Sequence, residues 1–332
     1  MLSRRKLLQT SAAAGLALSV PHVARAGSKR IRIAHAANEV HPGHILATSF
    51  VEALDDLLPG AFNVQVFPNR QLGNDKQNLE STVAGTLEMC TVSGVLLPLV
   101  TGRAPLDAWQ LPFLVRDYDH FKELALGPVA QKMLDDLRPA GLVGLATIDG
   151  GRRHFLSVKK PVEQLSDLAG LKTRIVPVPL HKAIWEALGT APVGLPYGEI
   201  YGALETGVID AVEINVSSML GENLWEVGKN FTLTGHYPWH INSVMSERFW
   251  GTLSDEEKAA VTEAGRRSIS ATMAYAKKQD HDGREALKQK GVEIREIQDI
   301  DEMRAKVTSV NDTWGQKHPL IAEFIAAANS TA

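Results

Sequence analysis

Residues 171 to 215 read LKTRIVPVPLHKAIWEALGTAPVGLPYGEIYGALETGVIDAVEIN, and this order of apolar and polar residues leaves few folds open. Short apolar runs alternate with two amphipathic helix patterns, Pro179 to Leu188 and Glu199 to Thr206, each closed by a glycine, Gly189 and Gly207. Glycine just past a helix adopts the left-handed backbone that ends it. Strand, helix, strand, helix, strand is the repeat of an open α/β sheet, where ligands bind beyond the carboxyl ends of the strands. Asn215 follows the strand run Val208 to Ile214 and so falls at such an end. Arg174 stands inside the first strand run. A guanidinium there needs an anionic partner, because an unpaired buried charge is too costly to keep. The missing anion is expected to be the ligand.

The same stretch resembles the signature region of the extracytoplasmic solute receptors of TRAP transporters, the DctP family of solute-binding proteins. The residues that carry the likeness are Leu171, Lys172 and Arg174; Ala187, Leu188 and Gly189; Pro196 through Gly207; and Val208, Ile209, Asp210, Glu213 and Asn215. Further blocks at 67–89 (FPNRQLGNDKQNLESTVAGTLEM), 109–121 (WQLPFLVRDYDHF) and 152–162 (RRHFLSVKKPV) extend it over nearly the whole chain. The resemblance implies an α/β, two-lobed periplasmic binding protein fold with a ligand cleft between the lobes and a long helix spanning both. It also implies capture of an organic acid (a sugar acid such as a uronate or aldonate, a C4-dicarboxylate or another small carboxylate) and delivery to TRAP membrane permease subunits. Asp75 and Glu39 favour the sugar acid, because a second carboxylate near them would be repelled. No chemistry and no cofactor is implied. A periplasmic enzyme acting on sugar acids and a ligand-sensing subunit are the readings from other classes.

The amino terminus points to export. Residues 1–26 have a basic start (Arg4, Arg5, Lys6), an apolar middle from Ala12 to Val20, and small residues Ala24 and Ala26 near a cleavage point, the layout of a secretory signal. SRRKLLQ from Ser3 resembles a twin-arginine signal, with an ordinary Sec signal as the alternative. The expected location is the periplasm. Beyond the signal, no run reaches the ~18 apolar residues of a membrane helix. Removing residues 1–26 leaves 31 basic residues against 38 acidic ones, a formal charge of −7 in place of −3. An acidic chain without Lys/Arg runs is a poor partner for nucleic acid, so anion capture rests on a few placed arginines. The single cysteine, Cys90, allows no internal disulfide and reads as a small buried hydrophobe.

Strand patterns at 31–36, 62–67, 87–92 and 141–148 and helix patterns at 43–58, 75–84 and 118–137 place a first lobe at 27–150. A second lobe is expected at 151–237, with 238–275 returning to the first and 276–332 packing on the second or spanning both. Helices between strands predict a mostly parallel sheet in each lobe. Ser254 to Glu257 is a capping box that opens a helix over about 255–289. Asp280-His281-Asp282 is read as a solvated face of that helix.

The candidate ligand residues follow. Arg153 and Arg174 match the two arginines of the family pattern, with Arg152 the competing alignment for the first; a planar guanidinium meets a carboxylate bidentately. The bland alternative for each is an ion pair to a neighbouring acid. Asn215 offers a donor and an acceptor, or caps its strand end. His35, Asn38 and Glu39 follow the first strand. Asp75 admits two readings, an acceptor for sugar hydroxyls or the favourable acid at a helix start. Trp239 lines the cleft rim or belongs to the core. His41 and His44 form an H-x-x-H pair without a third metal ligand, which reads as a surface or helix-cap pair; no metal is expected.

Overall fold

The computed structural model describes residues 28–330; the export signal expected at residues 1–26 lies outside them. Along the chain come β1 (Lys29–Ala34), α1 (Pro42–Leu57), β2 (Phe62–Phe67), α2 (Asp75–Val83), β3 (Met89–Ser93) and α3 (Leu96–Thr101). Then follow α4 (Tyr118–Ala125), α5 (Pro128–Asp135), β4 (Leu142–Arg152), β5 (His154–Ser157), β6 (Lys172–Ile175) and α6 (Pro179–Ala187). β7 (Ala191–Gly194), α7 (Ile200–Glu205), β8 (Ala211–Ile214), α8 (Val216–Gly221) and β9 (Asn230–Leu233) continue the alternation. The chain ends with β10 (Pro238–Ser246), α9 (Glu247–Trp250), α10 (Asp255–Gln289), β11 (Glu293–Glu296), α11 (Ile300–Gly315) and α12 (Pro319–Ser330).

The described residues form two sheets, one of five strands in the order β2-β1-β3-β10-β4 and one of six in the order β11-β9-β5-β8-β6-β7. They define lobe I and lobe II. Pairs joined through a helix are parallel, as expected: β1 with β2 and β3, β6 with β7 and β8. The sheets as wholes are mixed, however. β10 runs antiparallel to β3 and β4, and β5 antiparallel to β8 and β9. The reason is the route of the chain. β4 passes almost straight into β5, with Arg153 alone between them, and β10 carries the chain back the opposite way. Strands that arrive without a helical crossover need not be parallel.

The crossing is tight. Gly151 has φ +129, and a Cβ on it would stand 2.9 Å from Asn215 Nδ2. Both the backbone and the neighbouring strand therefore require glycine there.

The helix expected over 118–137 is two helices. Gly127 caps the second and Pro128 is its first residue; proline lacks the N–H that would have continued the first and suits the opening turn of the next. α10 meets expectation, with Ser254 and Glu257 exchanging capping-box hydrogen bonds. It packs on α1 and β4 of lobe I and on α8 and β11 of lobe II. Glycines permit the approach: a Cβ on Gly265 would lie 2.7 Å from the Leu145 carbonyl, and one on Gly283 2.5 Å from Val216. His281 and Asp282 are solvated, but Asp280 is buried and paired with Arg284 at 2.7 Å. Its position puts it on the face of α10 turned toward the lobe crossing, where burial raises its carboxyl pKa against the pull of Arg284.

Candidate functional site

A cavity of about 150 Å³ lies between the sheets. Its lining comes from the last residues of β3, the loops after β1, β2, β6 and β7, the first residues of α2, and the start of β10. The ends of β1, β3, β6 and β7 are carboxyl ends of parallel strands, where the alternation of 171–215 places a ligand. The volume is about five times the roughly 30 Å³ that a water occupies in the liquid, room for a small organic acid.

Arg174 extends from β6 and is 2 % exposed. Its Nε and Nη2 both donate to the Leu195 carbonyl, at 2.9 and 2.7 Å. Among the described residues no carboxylate pairs with it directly. Burial pushes its guanidinium down to about 10, with Glu213 pulling the other way. It remains protonated at neutral pH and faces the cavity.

Arg153 differs. Standing at the crossing between β4 and β5, it is 1 % exposed. Its Nε lies 2.5 Å from Glu213 Oε2, its Nη2 donates to the Glu213 carbonyl, and its Nη1 donates to Asn215 Oδ1 at 3.2 Å. The guanidinium also lies over the Trp239 ring, 4.1 Å from its centre. The antiparallel register of β5 and β8, in which His154 faces Ile214, brings Glu213 and Asn215 to this position. Arg153 therefore borders the cavity as half of an ion pair. Arg152, the competing match, turns toward lobe I and donates to the carbonyls of Val115 and Arg116.

Asn215 is fully buried and holds its neighbours in place. Its Nδ2 donates to the Gly150 carbonyl at 2.9 Å and to Ser217 Oγ at 2.8 Å. It is absent from the cavity lining and orients Arg153 from behind. Trp239 does line the cavity, as the surface on which Arg153 rests.

Asp75 is the first residue of α2, after the Asn74 cap, and it lines the cavity. Burial raises its carboxyl to about 6, opposed by the backbone amides of Ser93 and Ala36 and by the charges of Arg70 and Arg174. His35 also lines the cavity. Its Nε2 lies 3.0 Å from His44 Nδ1, and burial holds it near 4, neutral at physiological pH. Its Nδ1 is buried without a hydrogen-bond partner among the described residues, as is Ser93 Oγ. His41 caps α1 by accepting from the Gly43 amide at 3.1 Å, and reaches lobe II at Ser218 Oγ, 3.4 Å away.

Asn38 and Glu39 lie outside the lining. Glu39 is exposed, and Asn38 packs against Gly221 of lobe II, where a Cβ would come within 2.0 Å of Asn38 Nδ2. Several residues of the site carry no distinct sequence signal, Ser93 among them. Glu213 and Tyr197 stand inside the quoted motif, without a role assigned. Arg70 gives only a turn signal, Pro68-Asn69; its backbone and that of Asn69 are left-handed, with φ of 62 and 54. This turn aims Arg70 across the cleft, where Nη2 donates to Glu222 of lobe II at 2.8 Å and the guanidinium stands 5.1 Å from the Tyr197 ring centre.

Residues 33–317 match the profile of the DctP family, described as bacterial extracellular solute-binding protein, family 7. The chain is 30 % identical to the C4-dicarboxylate-binding periplasmic protein DctP of Rhodobacter capsulatus, covering 99 % of each. It is 27 % identical to the 2,3-diketo-L-gulonate-binding periplasmic protein YiaO of Escherichia coli, over 91 % of this chain and 92 % of that one. Among solved structures, a TRAP periplasmic solute-binding protein from Bradyrhizobium in complex with galacturonate superposes with a TM-score of 0.86 at 30 % identity, covering 91 % of this chain and all of the other. One from Pseudomonas putida with bound D-glucuronate gives 0.84 at 29 %, covering 91 % and 97 %. With the profile matched across most of its length, the protein belongs to the DctP family of extracellular solute-binding proteins, the solute receptors of TRAP transporters.

Proposed function

We propose that this receptor works in the periplasm, captures a sugar acid such as a uronate or an aldonate between its lobes, and delivers it unchanged to TRAP permease subunits. The observation that carries the reading is Arg174. It is a buried cation on the cavity wall with two donors on a carbonyl and no carboxylate partner among the described residues. A ligand carboxylate supplies what the protein withholds. Asp75, His35 and Ser93 opposite it suit hydroxyl groups, since two of them carry buried polar atoms without partners. The galacturonate and glucuronate held by related structures fit the same chemistry. Chain crossings between two separate sheets give the lobes a hinge about which to close.

The test is a thermal-shift comparison of D-galacturonate, D-gluconate and the neutral sugar D-galactose. At ~100 times its dissociation constant a ligand adds roughly 2.7 kcal/mol of apparent stability. The acids are expected to raise the melting temperature and galactose to leave it unchanged. A largest shift from a neutral sugar or an amino acid, with none from any hydroxy acid, would overturn the reading. Calorimetry followed by recovery of the unaltered acid separates a receptor from an enzyme.

Asp75 makes the binding pH-dependent. Its carboxyl titrates near 6 in the free protein, and hydroxyl donors from a bound sugar favour the ionised form. Affinity for a sugar acid should thus climb between pH 5 and pH 7 and level off above. In Asp75→Asn the dependence should vanish. Titration calorimetry at the two pH values decides it; an equally steep rise in the variant would move the titrating group elsewhere.

A further inference from the structure

Among the described residues, three arginines line the cavity, Arg70, Arg153 and Arg174. Each has the chemistry to bind a carboxylate, so the number left without an acid partner decides how many negative charges the cavity welcomes. Arg153 is taken by Glu213. Arg70 reaches over from lobe I and is taken by Glu222, the residue that ends α8 in lobe II, at 2.8 Å. Lys76 also borders the cavity, but its ammonium is turned to solvent beside Glu80, 3.4 Å away. Arg174 remains.

We infer that Glu222 is a specificity-determining residue: by pairing with Arg70 it leaves a single unpaired arginine on the cavity wall and restricts the receptor to ligands with one carboxylate. This rests on the reading of the cavity as a sugar-acid site.

The placement of Arg70 makes the pairing consequential. Its Nε is buried and without a hydrogen-bond partner among the described residues, so one donor of the guanidinium is unused while Nη2 is engaged. The group is held over the Tyr197 ring and against Gly198, where a Cβ would stand 2.9 Å from Nε. A side chain at 198 would push it away. Absence of Glu222 would turn this fixed guanidinium into a second anion site on the cavity wall, beside Tyr197 and Gly198. With Glu222 present the charge of Arg70 is already matched, and a second ligand carboxylate meets Asp75 on the cavity wall, where like charges at close range repel. The pair also joins the lobes, so the discrimination acts in the closed form, where both sides of the cleft contribute.

The probes are galacturonate, with one carboxylate, and galactarate, the same carbon chain with two. Titration calorimetry is expected to give a wild-type preference for galacturonate of about tenfold or more, equivalent to ~1.4 kcal/mol. Glu222→Gln keeps the shape and removes the charge, and should narrow the ratio by about tenfold by strengthening galactarate. Arg70→Gln should widen it. The double variant should return close to the wild-type ratio, because the coupling between the two residues is what the cycle measures. An unchanged ratio in Glu222→Gln, or wild-type protein that binds both acids equally, overturns the inference while leaving the sugar-acid reading in place. Binding of neither acid to wild type overturns both. If Glu222→Gln does not fold, Arg70→Gln decides alone: equal losses for the two acids sink the proposal.

Discussion

Arg174→Ala should lower affinity for the bound sugar acid by at least ~10- to 100-fold. A charge-assisted hydrogen bond contributes roughly 1.5–3 kcal/mol, and more is lost when the ligand carboxylate is left buried without a partner; each ~1.4 kcal/mol is a factor of ten. Arg174→Lys should restore part of this, since the ammonium keeps the charge but loses the planar fork. The variant also strips the Leu195 carbonyl of both donors, so some stability is lost with the affinity. Arg174→Gln, which keeps a donor for that carbonyl, separates the two effects. Wild-type affinity in a folded Arg174→Ala protein would show that the carboxylate sits elsewhere.

Glu213→Ala should act mainly on the fold. It leaves Arg153, 1 % exposed, without the carboxylate that lies 2.5 Å from its Nε. Breaking a buried pair by removing one partner costs about 3–5 kcal/mol, because the remaining charge is stranded. Urea denaturation should register a loss of that order, and Glu213→Gln should recover part of it by keeping an acceptor for Arg153. A loss below ~1 kcal/mol for Glu213→Ala would mean that water or a shifted Arg153 relieves the charge. The contrast with Arg174 is the point: one arginine is satisfied by the protein, the other is held ready for something else.

The sequence discloses Arg174 because its surroundings are local. A charge inside a short apolar run is visible without knowing any partner. The fate of Arg153 depends on the strand register that sets it beside Glu213 and Asn215, some 60 positions further along, and no periodicity encodes that. Arg70 and Glu222 are separated by 152 positions, and Arg70 gains its direction from two left-handed residues that only a turn signal hints at. Both readings of Asp75 are legible in the sequence, and only the fold shows that a helix-starting acid also lines the cavity. Strand alternation identified the α/β architecture, while the antiparallel placement of β5 and β10 depended on the chain crossing between lobes without a helix. Pro128 marks the break between α4 and α5 plainly, yet the apolar spacing on either side of it runs on in phase and reads as one helix.

β10 has a consequence for how the chain reaches this state. It lies between β3 and β4, in the interior of a sheet whose other strands all precede residue 153. During synthesis those four strands emerge first, with a gap where the fifth belongs, and the facing edges of β3 and β4 stay unpaired until residues 238–246 have been made. Exposed strand edges invite pairing with other chains. Lobe I is therefore the earlier half to be translated and the later one to be finished. Its closing contacts join residues some 90 to 150 positions apart, and such distant pairings slow the search for the native state. A nascent chain truncated before residue 238 should accordingly lack a stable lobe I.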